Sequence, residues 1–412
     1  MSQWRRTLRT IFLSQELTLI GFSCVFPFFP LYIQTLGIKG PAVVLWSGVI
    51  TFTGSITLAI ASPIWGALAD RFGRKPMLVR AMGGGALVTA LLIFAPNIWV
   101  VLALRVVQGV LSGTVAPARA LVASTTPRDQ LAYGMGLMEA SIFAGNAAGP
   151  LVGGFLSDRL GFHGTFAIGA LMLLAAALLV LFKIDEKFTP PTAEMNRNRP
   201  SFFAGMRQIA GIPGLLLLAL TLCGANFGNA VASPVLPLLV PDLSGVPRLG
   251  GVPQVTTTIG AILAVAGFCA TFSAARTRWF TNRFGYRRAL IGALVGAALF
   301  SAPVSLVQSV WQLLLLRAVA GMCLGVALPA VSALVSLSTP EDRRGAVFGV
   351  MASAELAGFA IGPLVGGAIG AAFGLREVFL VTALALLSIA ALVAARVHIP
   401  ESEGGDRRVT RA

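Results

Sequence analysis

Charge is what this chain has least of. Asp, Glu, Lys and Arg make up 11% of its 412 residues and mean hydropathy is +0.84, whereas soluble domains carry roughly 25% charged residues. A soluble globular enzyme is excluded. Histidine is nearly missing, and Cys24, Cys223, Cys269 and Cys323 each sit singly in an apolar run. Disulfide frameworks and zinc sites need paired spacing or neighbouring imidazoles, so neither a disulfide nor a metal site is expected. His163 and His398 read as a loop and a tail residue without a role, which leaves a membrane-embedded enzyme no nucleophile and base; no catalytic residue is assigned. No phosphate-binding P-loop string occurs, so neither ATP drive nor a cofactor is expected.

The chain has long stretches free of charge instead, among them 40–69, 208–241 and 289–316. A helix crossing about 30 Å of hydrocarbon needs about 20 such residues. Barrel-type alternation is absent, so the spans read as helices. Twelve are predicted, near 11–36, 43–69, 77–95, 98–123, 132–157 and 164–183, then 212–240, 255–280, 289–306, 309–336, 346–372 and 377–395. The first apolar run is too long for a signal peptide and lacks a small-residue cleavage site, so it reads as a retained span.

The net charge of +15 would suggest nucleic acid in a soluble protein; here it sorts by side of the membrane. With a cytoplasmic N-terminus, Arg5, Arg6, Arg9, Arg71, Arg74, Lys75, Arg80, Arg276, Arg283, Arg287 and Arg288 all fall inside, and Lys39, Arg159, Arg248 and Arg376 fall outside. Both termini are then cytoplasmic, and the expected location is the cell membrane. A polar stretch with three prolines divides the spans. The expected organisation is a six-helix bundle over 1–184, a cytoplasmic linker over 185–211, a second six-helix bundle over 212–396 and a cytoplasmic tail over 397–412.

The two bundles are copies. "RFGRK" from Arg71 matches "RFGYR" from Arg283, and Arg105, Gly109, Gly113 and Pro117 match Arg317, Gly321, Gly325 and Pro329, all at a shift of 212. "GPLVGG" from Gly149 recurs from Gly362 at a shift of 213. Pro27 and Pro30 recur as Pro234 and Pro237, which predicts bent first and seventh spans. Parallel six-span halves suit a transporter with its site between them, rocking between two openings.

"GALADRFGRK" between spans two and three, "LRVVQG" in span four, "GNAAGPLVGG" in span five and "GFSCVFPFFPLY" in span one resemble signatures of the major facilitator superfamily, in its twelve-span drug:proton antiporter branch. The resemblance implies an all-α polytopic fold and multidrug efflux by alternating access. It also implies a conformational latch of Gly66, Asp70, Arg71, Gly73, Arg74 and Lys75, in which Asp70 meets the start of span eleven. Arg74 would pair with an acid near the end of span four, for which Asp129 is the candidate. The second copy departs from the pattern, with Asn282 in place of Asp70 and Ala320 in place of Gln108.

Four ionisable residues within the spans are candidates for proton coupling: Glu16, Glu139, Glu355 and, by resemblance, Arg105. A carboxylate stranded in hydrocarbon holds a proton until water reaches it. Gln108, Ser112 and Arg119 follow Arg105 at helical spacing, which predicts one polar face. Arg105 also reads as a structural arginine, and Arg119 as one that snorkels to the interface. Gly145, Gly149, Pro150, Gly153 and Gly154 read as a close-packing motif. Phe26, Gln108, Ser112, Phe143, Asn146, Asn226, Phe227, Arg317 and Phe359 are candidates to line a cavity for an amphipathic substrate. The expected function is a proton-driven antiporter that exports lipophilic or amphipathic small molecules, as a monomer, with the proton gradient as its only drive; a same-fold exporter of lipids, glycolipids or sugars is the alternative.

Overall fold

A computed structural model describes residues 3–186, 188, 214–339 and 344–396, and of Gln3, Asp70, Arg344, Gly345, Ala346 and Phe348 the backbone alone. Most of the expected linker and the whole expected tail lie outside the described residues. Among the described residues eleven helices are long and apolar enough to cross a membrane. Span one is Trp4–Thr35, span two Pro41–Ala69, span three Arg74–Phe94 and span four Ile98–Thr125. Spans seven to twelve are Leu215–Asp242, Val255–Ala274, Tyr286–Leu306, Val310–Leu337, Gly349–Phe373 and Glu377–Arg396. Spans five and six form one 56-residue run, Arg128–Lys183. At 1.5 Å per residue that run suffices for two crossings, and it is broken at Gly161, whose φ of 69° and ψ of 178° are not helical. Counted so, the described residues make twelve spans, and the protein is an all-α membrane protein.

Local sequence sets the starts and breaks of these helices. Asn97 caps span four, its side chain accepting from the Trp99 and Val100 amides, and Ser309, its repeat partner, caps span ten in a capping box with Gln312. Pro27 and Pro30 interrupt span one, which passes through a 3-10 turn at Phe26–Phe28 before resuming at Phe29–Thr35. Span seven is interrupted likewise between Val231 and Leu236. Span four ends its first helix at Leu111 and resumes at Val115, because Gly113 takes a φ of 105°. The expected polar face running from Arg105 to Arg119 is therefore corrected: Ser112 lies in the break, and Arg119 stands on a separate helix. Span ten runs unbroken through Gly325, the repeat partner of Gly113.

The repeat reappears in the packing. A side chain at Gly109 would overlap Thr57 and lie 2.5 Å from the Gly54 carbonyl, and one at Gly321 would lie 2.5 Å from the carbonyl of Ala266, the repeat partner of Gly54. Gly145, Gly149 and Gly153 lie against Leu19, Ser23 and Cys24 of span one, as Gly358, Gly362 and Gly366 lie against Cys223, Phe227, Ala230 and Val231 of span seven. Helices approach this closely only where side chains are missing.

The halves meet along two legs related in the same way. Gly154 faces the backbone of Thr256 and Gly260 the Pro150 carbonyl, joining span five to span eight; Gly367 faces Val44 and Gly48 the Pro363 carbonyl, joining span eleven to span two. All four glycines lie toward one face of the molecule, here the far face. The opposite face carries Arg71, Arg74, Lys75, Arg283, Arg287 and Arg288 and is here the basic face.

Burial shows which end is closed. Toward the far face one continuous buried cluster takes Phe29, Tyr32 and Val44 from the first half and Val231, Ile259 and Phe379 from the second. Toward the basic face each half has its own cluster, one around Leu78, Leu121 and Val180, the other around Leu294, Leu334 and Val393. A Cβ at Gly66, Gly136 or Gly349, on the basic ends of the same seam helices, would meet nothing within 4 Å. The halves share a core at the far face and part at the basic face.

Candidate functional site

Where the halves part, three charges face one gap. Arg119 of span four and Glu139 of span five form an ion pair of 2.6 Å, with side chains 45% and 42% exposed. Glu355 of span eleven lines, together with Arg119, a cavity of about 220 Å³ completed by Leu222, Ser332, Val335, Met351 and Ala352. Every wall of this cavity except Arg119 belongs to the second half, so it lies between the halves. Arg119 and Glu139 are also the charges that act on Glu355 across the gap. Glu139, a candidate for proton coupling, already has a cation on its carboxylate. Glu355 reaches no ion-pair partner among the described residues.

Arg105 stands elsewhere. It is 6% exposed, its guanidinium donates to Gln108 Oε1 at 2.6 Å, and it lies 4.1 Å from the ring centres of both Phe26 and Phe29. Gln108 donates in turn to Thr89 Oγ1 at 3.4 Å. A planar cation set over two aromatic rings is held by their quadrupoles, so Arg105, Gln108 and Phe26 form a packed polar core in the first half. No carboxylate forms an ion pair with Arg105 among the described residues. Glu16 keeps one carboxylate oxygen, Oε2, buried and without a hydrogen-bond partner. Arg317, the repeat partner of Arg105, has its Nε buried and unpartnered.

The expected cavity residues scatter. Phe143 and Phe359 are exposed on spans five and eleven. Asn146 accepts from the Ser23 hydroxyl at 3.0 Å. Asn226 is buried and spends its amide on the Leu222 carbonyl. Phe227 packs against the shared far-face core, and Ser112 offers its carbonyl to Arg80 at 3.5 Å.

At the turn between spans two and three, Gly73 takes a φ of 99° and turns the chain sharply after Arg71 and Phe72. Arg74 does not meet Asp129 there. Its guanidinium lies 3.9 Å from Glu186, whose carboxylate also accepts from the backbone amides of Arg74 and Lys75 at 3.0 and 2.8 Å. Asp129 instead accepts from Gln130. Two bonds into the first turn of span three suit a carboxylate, because that end of a helix exposes unpaired N–H groups. The contact expected of the Asp70 side chain lies outside the described residues.

Sequence reasoning missed Glu186 and Asp158. Glu186 is an acid directly after span six, beside the prolines that mark the linker. Asp158 follows the glycine pair of the packing motif, and its carboxylate accepts from the Thr256 and Thr257 amides at 3.2 and 2.7 Å, across the halves.

Comparison with known proteins agrees with this architecture. The family model of the Major Facilitator Superfamily matches residues 11–279 and 256–412. The multidrug resistance protein MdtG of Serratia proteamaculans (strain 568) is 37% identical over 386 residues, covering 93% of this chain and 92% of its own length. The MdtG protein of Rahnella sp. (strain Y9602) is 36% identical with the same coverage. Among solved structures, the nucleoside transporter NupG aligns over 95% of this chain with a TM-score of 0.78 at 14% identity. A bacterial homologue of the human lysosomal transporter Spinster, in an inward-facing and occupied conformation, aligns over 96% of this chain with a TM-score of 0.76 at 18% identity. With a family match along nearly its whole length and relatives above a third identical, this chain belongs to the major facilitator superfamily.

Proposed function

We propose that this protein exports lipophilic or amphipathic small molecules from the cell in exchange for protons, in the manner of a multidrug efflux antiporter. The observation that carries the reading is the gap at the basic face, with Arg119, Glu139 and Glu355 set in it while the far face is sealed. Basic residues gather on the cytoplasmic side of membrane proteins, so the basic face is the cytoplasmic one, both termini lie there, and the structure is the arrangement open to the cytoplasm. The MdtG relatives carry multidrug resistance in their names, which fits a cargo of varied, mostly apolar compounds. Glycine-packed seam helices let each half move as a body about the site, as alternating access requires. The protein acts as a monomer in the cell membrane, and the proton gradient is its drive.

The test is transport in proteoliposomes. Ethidium, a cation, and anilinonaphthalene sulfonate, an anion, are offered with and without an imposed pH gradient. Uphill accumulation of either dye that collapses when a protonophore is added is expected. Equal movement with and without the gradient overturns the reading.

A further inference from the structure

Resting on the proton-coupled reading above, we infer that Glu355 is the proton carrier, and that Arg119 is the positioning residue that bars Glu139 from that role. The three acids within the spans differ in their surroundings. Glu139 is bonded to Arg119 at 2.6 Å, so its carboxylate already has a fixed cationic partner. Glu16 lies outside the cavity between the halves, with one oxygen buried and unsatisfied. Glu355 alone of the three both lines that cavity and lacks an ion-pair partner among the described residues. The charged groups acting on it are Arg119 and Glu139, from spans four and five. The rest of the cavity wall, Leu222, Ser332, Val335, Met351 and Ala352, carries no charge.

This arrangement makes one closing movement easy and another costly. The cluster holds one positive and up to two negative groups. Passing between the two openings with an ionised Glu355 and no cationic cargo beside it traps a net negative charge out of water, which is costly. With a proton taken up by Glu355 at the far side, the trapped cluster is neutral, so the return to the present arrangement carries a proton inward. When the gap reopens and water returns, the Glu355 carboxyl releases its proton to that water and is left as carboxylate. Glu139 does not take part, because Arg119 moves with it on the same half.

Arg119 therefore determines which acid titrates, and moving it changes the answer. In Glu139→Gln the guanidinium loses its carboxylate, and the acid that shares its cavity is Glu355, with which it would pair. Removing both members of the pair, in Arg119→Gln with Glu139→Gln, leaves Glu355 free again. A merely structural ion pair would not give loss in the single variant and recovery in the double.

The experiment reads the proton itself. Infrared difference spectra of the protein in lipid, recorded as the pH is lowered, show a protonated-carboxyl C=O band for each acid that takes up a proton. The band is expected in the wild type, absent in Glu355→Gln, weakened in Glu139→Gln and restored in the double variant. pH-driven dye uptake is expected to follow the same order, with a loss of about tenfold or more in Glu355→Gln, a step of roughly 1.4 kcal/mol or greater. Thermal unfolding in detergent identifies any variant that fails to fold, and the band is then read in Glu355→Asp as its replacement. A band that survives in Glu355→Gln, or a double variant that lacks it, overturns the assignment. Transport and spectroscopy are separate arms, so loss of gradient-driven uptake in the wild type sinks the proposed function, whereas a misplaced band sinks only this inference.

Discussion

Asp158 and Thr257 join the two halves of the molecule: the carboxylate at the end of span five accepts the Thr257 amide at 2.7 Å, and that of Thr256 at 3.2 Å. These are orphan amides in the first turn of span eight, where a negative charge is also favoured by the helix dipole. They sit beside the Gly154 contact and close the far face.

Replacing Asp158 with Ala is expected to loosen that face. Losing a charged cap of this kind costs about 0.5–2 kcal/mol, so the far-open population should rise roughly 2- to 30-fold. Thr256 is buried at this seam, its hydroxyl donating to the Gly154 carbonyl across the halves, and a cysteine placed there serves as a reporter. Its alkylation by a membrane-impermeant maleimide added from the far side should speed up by the same factor, and an unchanged rate counts against the latch.

The seam glycines should be unequal along their helices. At Gly154 an added Cβ overlaps the Thr256 carbonyl, while at Gly136, on the same helix, it meets nothing within 4 Å. Gly154→Ala is therefore expected to destabilise the present arrangement by about 1–3 kcal/mol, the usual cost of overpacking, and Gly136→Ala by far less. Thermal unfolding midpoints of the two purified variants, compared side by side, measure the difference.

Arg105→Lys should fold poorly although it keeps the charge. An ammonium has no flat face to set against the Phe26 and Phe29 rings while also donating to Gln108. The expected loss is about 1–3 kcal/mol, from the desolvated cation–π contacts and the charged hydrogen bond. If the unfolding midpoint of Arg105→Lys equals that of the wild type, the aromatic clamp is not what holds this residue.

Glu186→Gln should free the start of span three. The Arg74 and Lys75 amides lose their charged acceptor, and hydrogen bonds to charged groups contribute about 1.5–3 kcal/mol. Hydrogen exchange at these two amides is expected to accelerate by roughly tenfold or more on that scale, with amides in span six unaffected.

The repeat was legible in the sequence because packing repeats with it: Gly48 and Gly260, or Gly154 and Gly367, occupy equivalent positions and make equivalent contacts. The prolines of spans one and seven mark real interruptions for a local reason, the missing amide. The break in span four was not legible. Gly113 and Gly325 are repeat partners, yet only Gly113 adopts a positive φ, and only a backbone shows that. Ion-pair partners were the least legible of all. Arg74 finds Glu186, 112 positions away, because spans two, three and six happen to end at the same corner. Periodicity places a charge on a helix, but which opposite charge it meets depends on how distant helices dock. The same limit concealed that Arg119 is the partner of Glu139.

The twofold likeness of the seam stops at one position. A shift of 213 carries Asp158 onto Ala371, which has no carboxylate to offer. Of the two edges along the sealed rim, one is bolted and the other, among the described residues, rests on contact alone. Separation thus starts at the unbolted edge between spans two and eleven and peels across to spans five and eight, so the passage opens first as a wedge rather than as a parallel slot.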